Sequence, residues 1–141
     1  MSKLRILHYG MVAYVLISSW VVEQILRQTG HPASMDHRLT WWHLIAAAMA
    51  TLCILEGFQF RRRLIRRPER VLAGNGADPK ALRQWEAGHM IAFSMAVSVA
   101  VWGNVLTLIA HATFWESLLF YGVSLLFLLL WAPRAPHVAP V

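Results

Sequence analysis

The chain has 141 residues and a formal net charge of +6, with 57% of its residues hydrophobic and 14% charged. A soluble domain carries about a quarter charged residues, and a chain this short has little interior in which to hide so much apolar surface. The composition therefore excludes an ordinary water-soluble domain and points to lipid as the solvent, with room for a single domain.

A helix needs about 20 apolar residues to cross a hydrocarbon core of ~30 Å. Four segments meet this, at about 6–26, 41–60, 88–110 and 114–131. The reading is an all-α integral membrane four-helix bundle filling one transmembrane domain, 1–141. Segment 6–26 is expected to be retained, because Trp20 and Glu23 stand where a secretion signal would carry small cleavage-site residues. A basic loop, 61–86, separates the second and third spans. Its start, RRRLIRRPERVL, should prolong the second helix, with Pro68 at a break or a new first turn. Gly74, Asn75 and Gly76 read as a turn. Asp78 and Pro79 read as the N-cap and first position of the helix leading into the third span. The tail, 132–141, is rich in Pro and small residues and is expected to be disordered.

Orientation follows from the basic residues. Lys3, Arg5, the eight between Arg61 and Arg83, and Arg134 fall on one side of the four spans, and only Arg27 and Arg38 on the other. The positive-inside rule then gives an N-in/C-in protein of the cell inner membrane, both termini cytoplasmic. Trp41, Trp42 and Trp115 would mark the outer interface, Trp85 and Trp131 the inner one.

The two halves share an order of residues. Met11-Val12-Ala13-Tyr14 with Ser19 matches Met90-Ile91-Ala92-Phe93 with Ser98, and Thr40-Trp41-Trp42-His43 matches Thr113-Phe114-Trp115-Glu116. This suggests a duplicated helical hairpin; convergence of aromatic belts and small residues is the alternative.

Helix contacts in lipid favour small residues, since apolar side chains gain nothing there by leaving lipid for one another. Ala46, Ala50, Cys53 and Gly57 form one stripe on the second helix, and Gly88, Ala92, Ala96 and Ala100, ending at Asn104, form another on the third. These faces should meet, with Asn104 bonding across them. The last helix, with its LLFLLLW run, should face lipid. Cys53, the one cysteine, reads as a packing residue.

Seven histidines are the most suggestive feature. His8 and His89 belong by depth to the inner interface, His43 and His111 to the outer one. Two facing histidines can hold a b-type haem axially, so His8 with His89, or His43 with His111, are candidate cofactor ligands. His89 and His111 are 22 residues apart in the sequence, ~33 Å along a helix. That puts both at the membrane edges, where a haem would be poorly buried, and interfacial histidines without a cofactor are the competing reading. No metal site is expected. Glu56 should snorkel to Arg61, Arg62 and Arg63, and Glu23 could meet His43.

Arg61, Arg62, Arg63, Arg66, Arg67 and Arg70 have no Gly-rich phosphate loop beside them and are expected to rest on anionic headgroups, or on a partner, rather than on nucleic acid. No GxSxG, HExxH or Ser–His–acid set occurs. The expected function is that of a small non-catalytic accessory, assembly or scaffold subunit, associated with other membrane subunits or with copies of itself. A haem- or quinone-contacting redox protein is the alternative.

Overall fold

The computed structural model describes residues 2–29, 41–74, 78–109 and 113–133. Within them the regular elements are all helices: α1 (Ser2–Thr29), α2 (Trp41–Leu64), α3 (Arg66–Gly74), α4 (Pro79–Ile109) and α5 (Phe114–Leu130). Lys3–Gln28, Trp41–Gly74 and Pro79–Ile109 are each long and apolar enough to cross a membrane, and Trp115–Leu130 is a shorter apolar helix.

The helices outrun the apolar segments. Residues 61–86, expected as a loop, are mostly helical, because Arg, Leu, Gln, Glu and Ala are good helix formers whatever their polarity. Arg61, Arg62 and Arg63 occupy the last turn of α2, where cations complement the helix dipole. The chain turns at the buried Ile65 and resumes as α3. Pro68 falls in the first turn of α3, where a missing N–H breaks no intrahelical bond. Asp78 caps α4: its Oδ1 accepts from the backbone N–H of Lys80 at 2.9 Å and of Ala81 at 3.3 Å. The turn after Gly74 and most of the tail lie outside the described residues.

α4 is the centre of the molecule. It packs against each of the other helices, while α1 and α2 lie on α4 and hardly touch one another. Of the most apolar window of α4, 44% is buried, against 17% for α1 and for α2. The halves are thus packed differently, since α4 and α5 form a tight pair and α1 and α2 do not.

The small-residue stripes meet as expected. Ala46, Ala50 and Gly57 of α2, and Gly88, Ala92, Ala96 and Ala100 of α4, are buried, with Cys53 half-buried. A Cβ on Gly88 would stand 2.9 Å from the Leu64 carbonyl oxygen, so only glycine allows this approach of α2 to α4. A Cβ on Gly57 would strike the Trp131 ring, which lies across α2 at that point.

Three expectations need correction. α5 is not wholly lipid-facing: Ser117, Tyr121, Ser124, Leu128 and Trp131 are buried, each at most 3% exposed. Their spacing is that of one helix stripe, hidden in the sequence by the leucines on either side. Asn104 bonds to α5, not α2; the Tyr121 hydroxyl donates to its Oδ1 at 2.6 Å. Trp85 and Trp131 are not interfacial anchors but core residues, each 1% exposed, whereas Trp41, Trp42 and Trp115 are exposed as expected.

Candidate functional site

One end of the bundle gathers almost all the chemistry. The N-terminal part of α1, the C-terminal end of α2, α3, the first turns of α4 and the end of α5 converge there, joined by Leu4, Ile65, Leu72, Trp85 and Trp131 in one core cluster. Lys3, Arg5 and the arginines of α2 and α3 belong to this end, as the charge asymmetry requires.

His8 and His89 are both buried here, on either side of a common neighbour. The Phe93 ring lies 5.1 Å from the His8 ring and 5.7 Å from the His89 ring, centroid to centroid. Trp85 closes the other side of His89 at 4.5 Å. Phe93 is fully buried against both imidazoles, so a haem macrocycle spanning them would first have to displace it. This packing sets Phe93 against both rings. It leaves His8 Nδ1 and both ring nitrogens of His89 buried without a hydrogen-bond partner, although His89 faces the Trp131 backbone and Arg61 approaches it. A buried polar atom left unpaired costs about 1–3 kcal/mol, so this pocket of imidazole nitrogen is chemically unsatisfied.

Of the second histidine pair, His111 lies outside the described residues. His43 is half-buried, its Nε2 3.7 Å from Glu116 Oε1. That contact corrects the expected His43–Glu23 pairing. Glu23 instead accepts from Arg27 Nε at 3.1 Å, one turn along α1. Glu116 also closes the start of α5, its Oε2 accepting from the Thr113 backbone N–H at 2.7 Å. Glu56 is exposed, on the stretch of α2 that leads to Arg61–Arg63. Among the described residues no group of three or more His, Cys, Asp or Glu side chains is placed to hold a metal.

No protein-family model, curated protein or solved structure matches this chain.

The arginine run divides in two. Arg61 is half-buried, and its charge acts on His89. Arg62, Arg63, Arg66, Arg67 and Arg70 line an open concavity of about 1000 Å³ between the end of α2, α3 and the start of α4. Gln59, Leu64 and Gln84 are the other described residues of its wall, and none of them is a carboxylate. Nothing in the sequence singled out the two glutamines; Gln59 lies one turn before Arg62, and that spacing is the only signal. Glu69, the acidic residue of α3, is drawn away from the arginines, its Oε1 accepting from the Trp85 indole N–H at 3.3 Å.

A third feature lies mid-span. α2 and α5 both rest on α4 but diverge, leaving an apolar groove of about 180 Å³. Its α2 wall is built from Ala47, Ala50, Thr51 and Ile54, its α5 wall from Leu119, Phe120 and Val123.

Proposed function

We propose that this chain is a small non-catalytic subunit of a larger complex in the cell inner membrane, acting in its assembly or as a scaffold. It crosses four times, with both termini and the arginine-rich α3 in the cytoplasm against anionic headgroups. The groove between α2 and α5 carries this reading. Small side chains are where membrane helices approach closely, and Ala47, Ala50 and Thr51 present such a surface beside a gap that none of the described helices fills. A helix of a partner subunit, or of a second copy, is the occupant we assign to it. The exposed carboxylate of Glu56 on the same helix supports the reading, since an ionisable group facing lipid is costly until it finds a partner.

A photo-crosslinking side chain at Thr51, followed by extraction in mild detergent, tests it. A covalent adduct with another membrane chain, in a particle well above the 16.0 kDa protomer, is expected. A monodisperse monomer by native mass spectrometry, without adduct, overturns it.

One observation favours a redox reading instead: the unpartnered nitrogens of His8 and His89. A quinone carbonyl accepting from either imidazole would satisfy one of them without the room a macrocycle needs. Quinone retained on purification and lost in His89→Ala supports that reading, and a visible haem band lost in the same variant would show that Phe93 gives way.

A further inference from the structure

We propose that the arginine-lined concavity is a stoichiometric binding site for two neighbouring phosphates, those of a diphosphate lipid headgroup at the membrane surface. This deepens the headgroup reading above, which needs only a diffuse attraction between basic residues and an anionic leaflet.

The argument starts from charge. Five guanidinium groups share one concavity with no carboxylate among the described residues of its wall. Like charges so gathered repel, and a folded chain usually relieves this by interleaving acids. Here Glu69, the acidic residue of α3, instead accepts from the Trp85 indole N–H. Arg62, Arg63, Arg66, Arg67 and Arg70 take part in none of the hydrogen bonds or ion pairs among the described residues. The site therefore keeps its full donor capacity.

Geometry then selects the ligand. Guanidinium forks match phosphate oxygens two at a time. One phosphodiester would offset one charge of five. The about 1000 Å³ of the concavity exceeds what one phosphate needs, and its arginines come from both helices, Arg62 and Arg63 from α2 and Arg66, Arg67 and Arg70 from α3. Gln59 and Gln84 can donate to the ester or linker oxygens between two phosphates. The position selects the source. Gln59 belongs to the apolar run of α2 and Arg62 follows within one turn, so the concavity sits where a hydrocarbon span ends and headgroups begin. A soluble diphosphate shares the chemistry but not the acyl chains, and the experiment separates the two.

The test uses the full chain in detergent, by native mass spectrometry, where sidedness in the membrane plays no part. It is titrated with diphosphatidylglycerol, with phosphatidylglycerol at matched total charge, and with inorganic pyrophosphate. One bound diphosphatidylglycerol per chain is expected, about tenfold tighter than phosphatidylglycerol and reduced about tenfold in Arg66→Gln/Arg70→Gln. Arg83→Gln, outside the concavity, is the control and should bind as the parent does. Thermal unfolding of both variants should be unchanged, since these side chains are exposed. Pyrophosphate binding at one site without lipid preference would support the paired-phosphate site with a soluble source. Equal binding of the two lipids, without pyrophosphate binding, overturns the site while leaving the diffuse attraction standing. Binding of no anion overturns both.

Discussion

Ser124 Oγ on α5 lies 2.7 Å from the carbonyl oxygen of Ala96 on α4, with both residues buried. Only a small side chain at Ala96 leaves its carbonyl open to a neighbouring helix, and only a short hydroxyl reaches it. Tyr121 with Asn104 and Ser117 with Thr107 repeat the link along the same seam. Interhelical bonds of this kind contribute roughly 0.6 kcal/mol each in membrane proteins, at most ~1.7. Ser124→Ala should therefore lower the unfolding temperature in detergent slightly. Ala96→Leu removes the opening and wedges the helices apart, a loss of about 1–3 kcal/mol. Equal shifts for the two variants would count against this account of the seam.

Leu128 is fully buried and Leu129 is 64% exposed. Leu128→Ala should cost about 2–5 kcal/mol by opening a cavity, and Leu129→Ala little, exchanging one lipid contact for another. Guanidinium or SDS unfolding of the two variants decides it; indistinguishable midpoints would mean that α5 has no buried face.

Gly57 and Trp131 form a lock between α2 and the end of α5. Gly57→Val should displace the Trp131 ring and destabilise the protein, and Trp131→Ala should cost about 3–5 kcal/mol alone. In the double variant the two losses should fall short of their sum, because the added methyl groups occupy space the ring has left. Strict additivity would show that the two residues do not touch.

The capped start of α4 offers a milder test. Asp78→Ala removes the acceptor for two backbone N–H groups and should cost about 1 kcal/mol. Asp78→Asn, which keeps an oxygen there, should recover most of it. Hydrogen exchange confined to Lys80 and Ala81 in the alanine variant is the expected readout.

Fold class was legible because long apolar runs and glycine or alanine stripes carry their meaning locally. Gly88, Ala92, Ala96 and Ala100 could be placed on one face from spacing alone. The buried stripe of α5 obeyed the same spacing, but Ser117, Tyr121 and Ser124 were masked by leucines that any lipid-facing helix would carry. Trp85 and Trp131 were misjudged for a different reason. A tryptophan near a helix end serves equally as an interfacial anchor or as a lid over a glycine, and only the neighbouring helix decides which. The same applies to the site. The arginine run announced its charge, but that five of its members line one concavity depends on the bend at Ile65, which the sequence marks only by Pro68. The hydroxyls of Ser18, Ser19, Thr51, Ser94 and Ser98 return to carbonyls of their own helices, at 2.8–3.1 Å, so polar residues in these helices do not by themselves mark contacts between helices.

That α1 and α2 each lean on α4 and hardly on one another has a consequence for how the chain is made. The ribosome delivers α1 and α2 first, and neither supplies the other with a packing surface. In a chain inserted as proposed, both would persist in the bilayer as solitary helices, held by their own backbone bonds, until Pro79–Ile109 emerges. Ser18, Ser19 and Thr51 suit that interval, since each of these hydroxyls is already bonded within its own helix. Tertiary structure therefore arrives in one step, late in synthesis, when the third long helix enters and gathers the two before it. A nascent chain arrested after Gly74 should show α1 and α2 inserted but uncrosslinkable to each other.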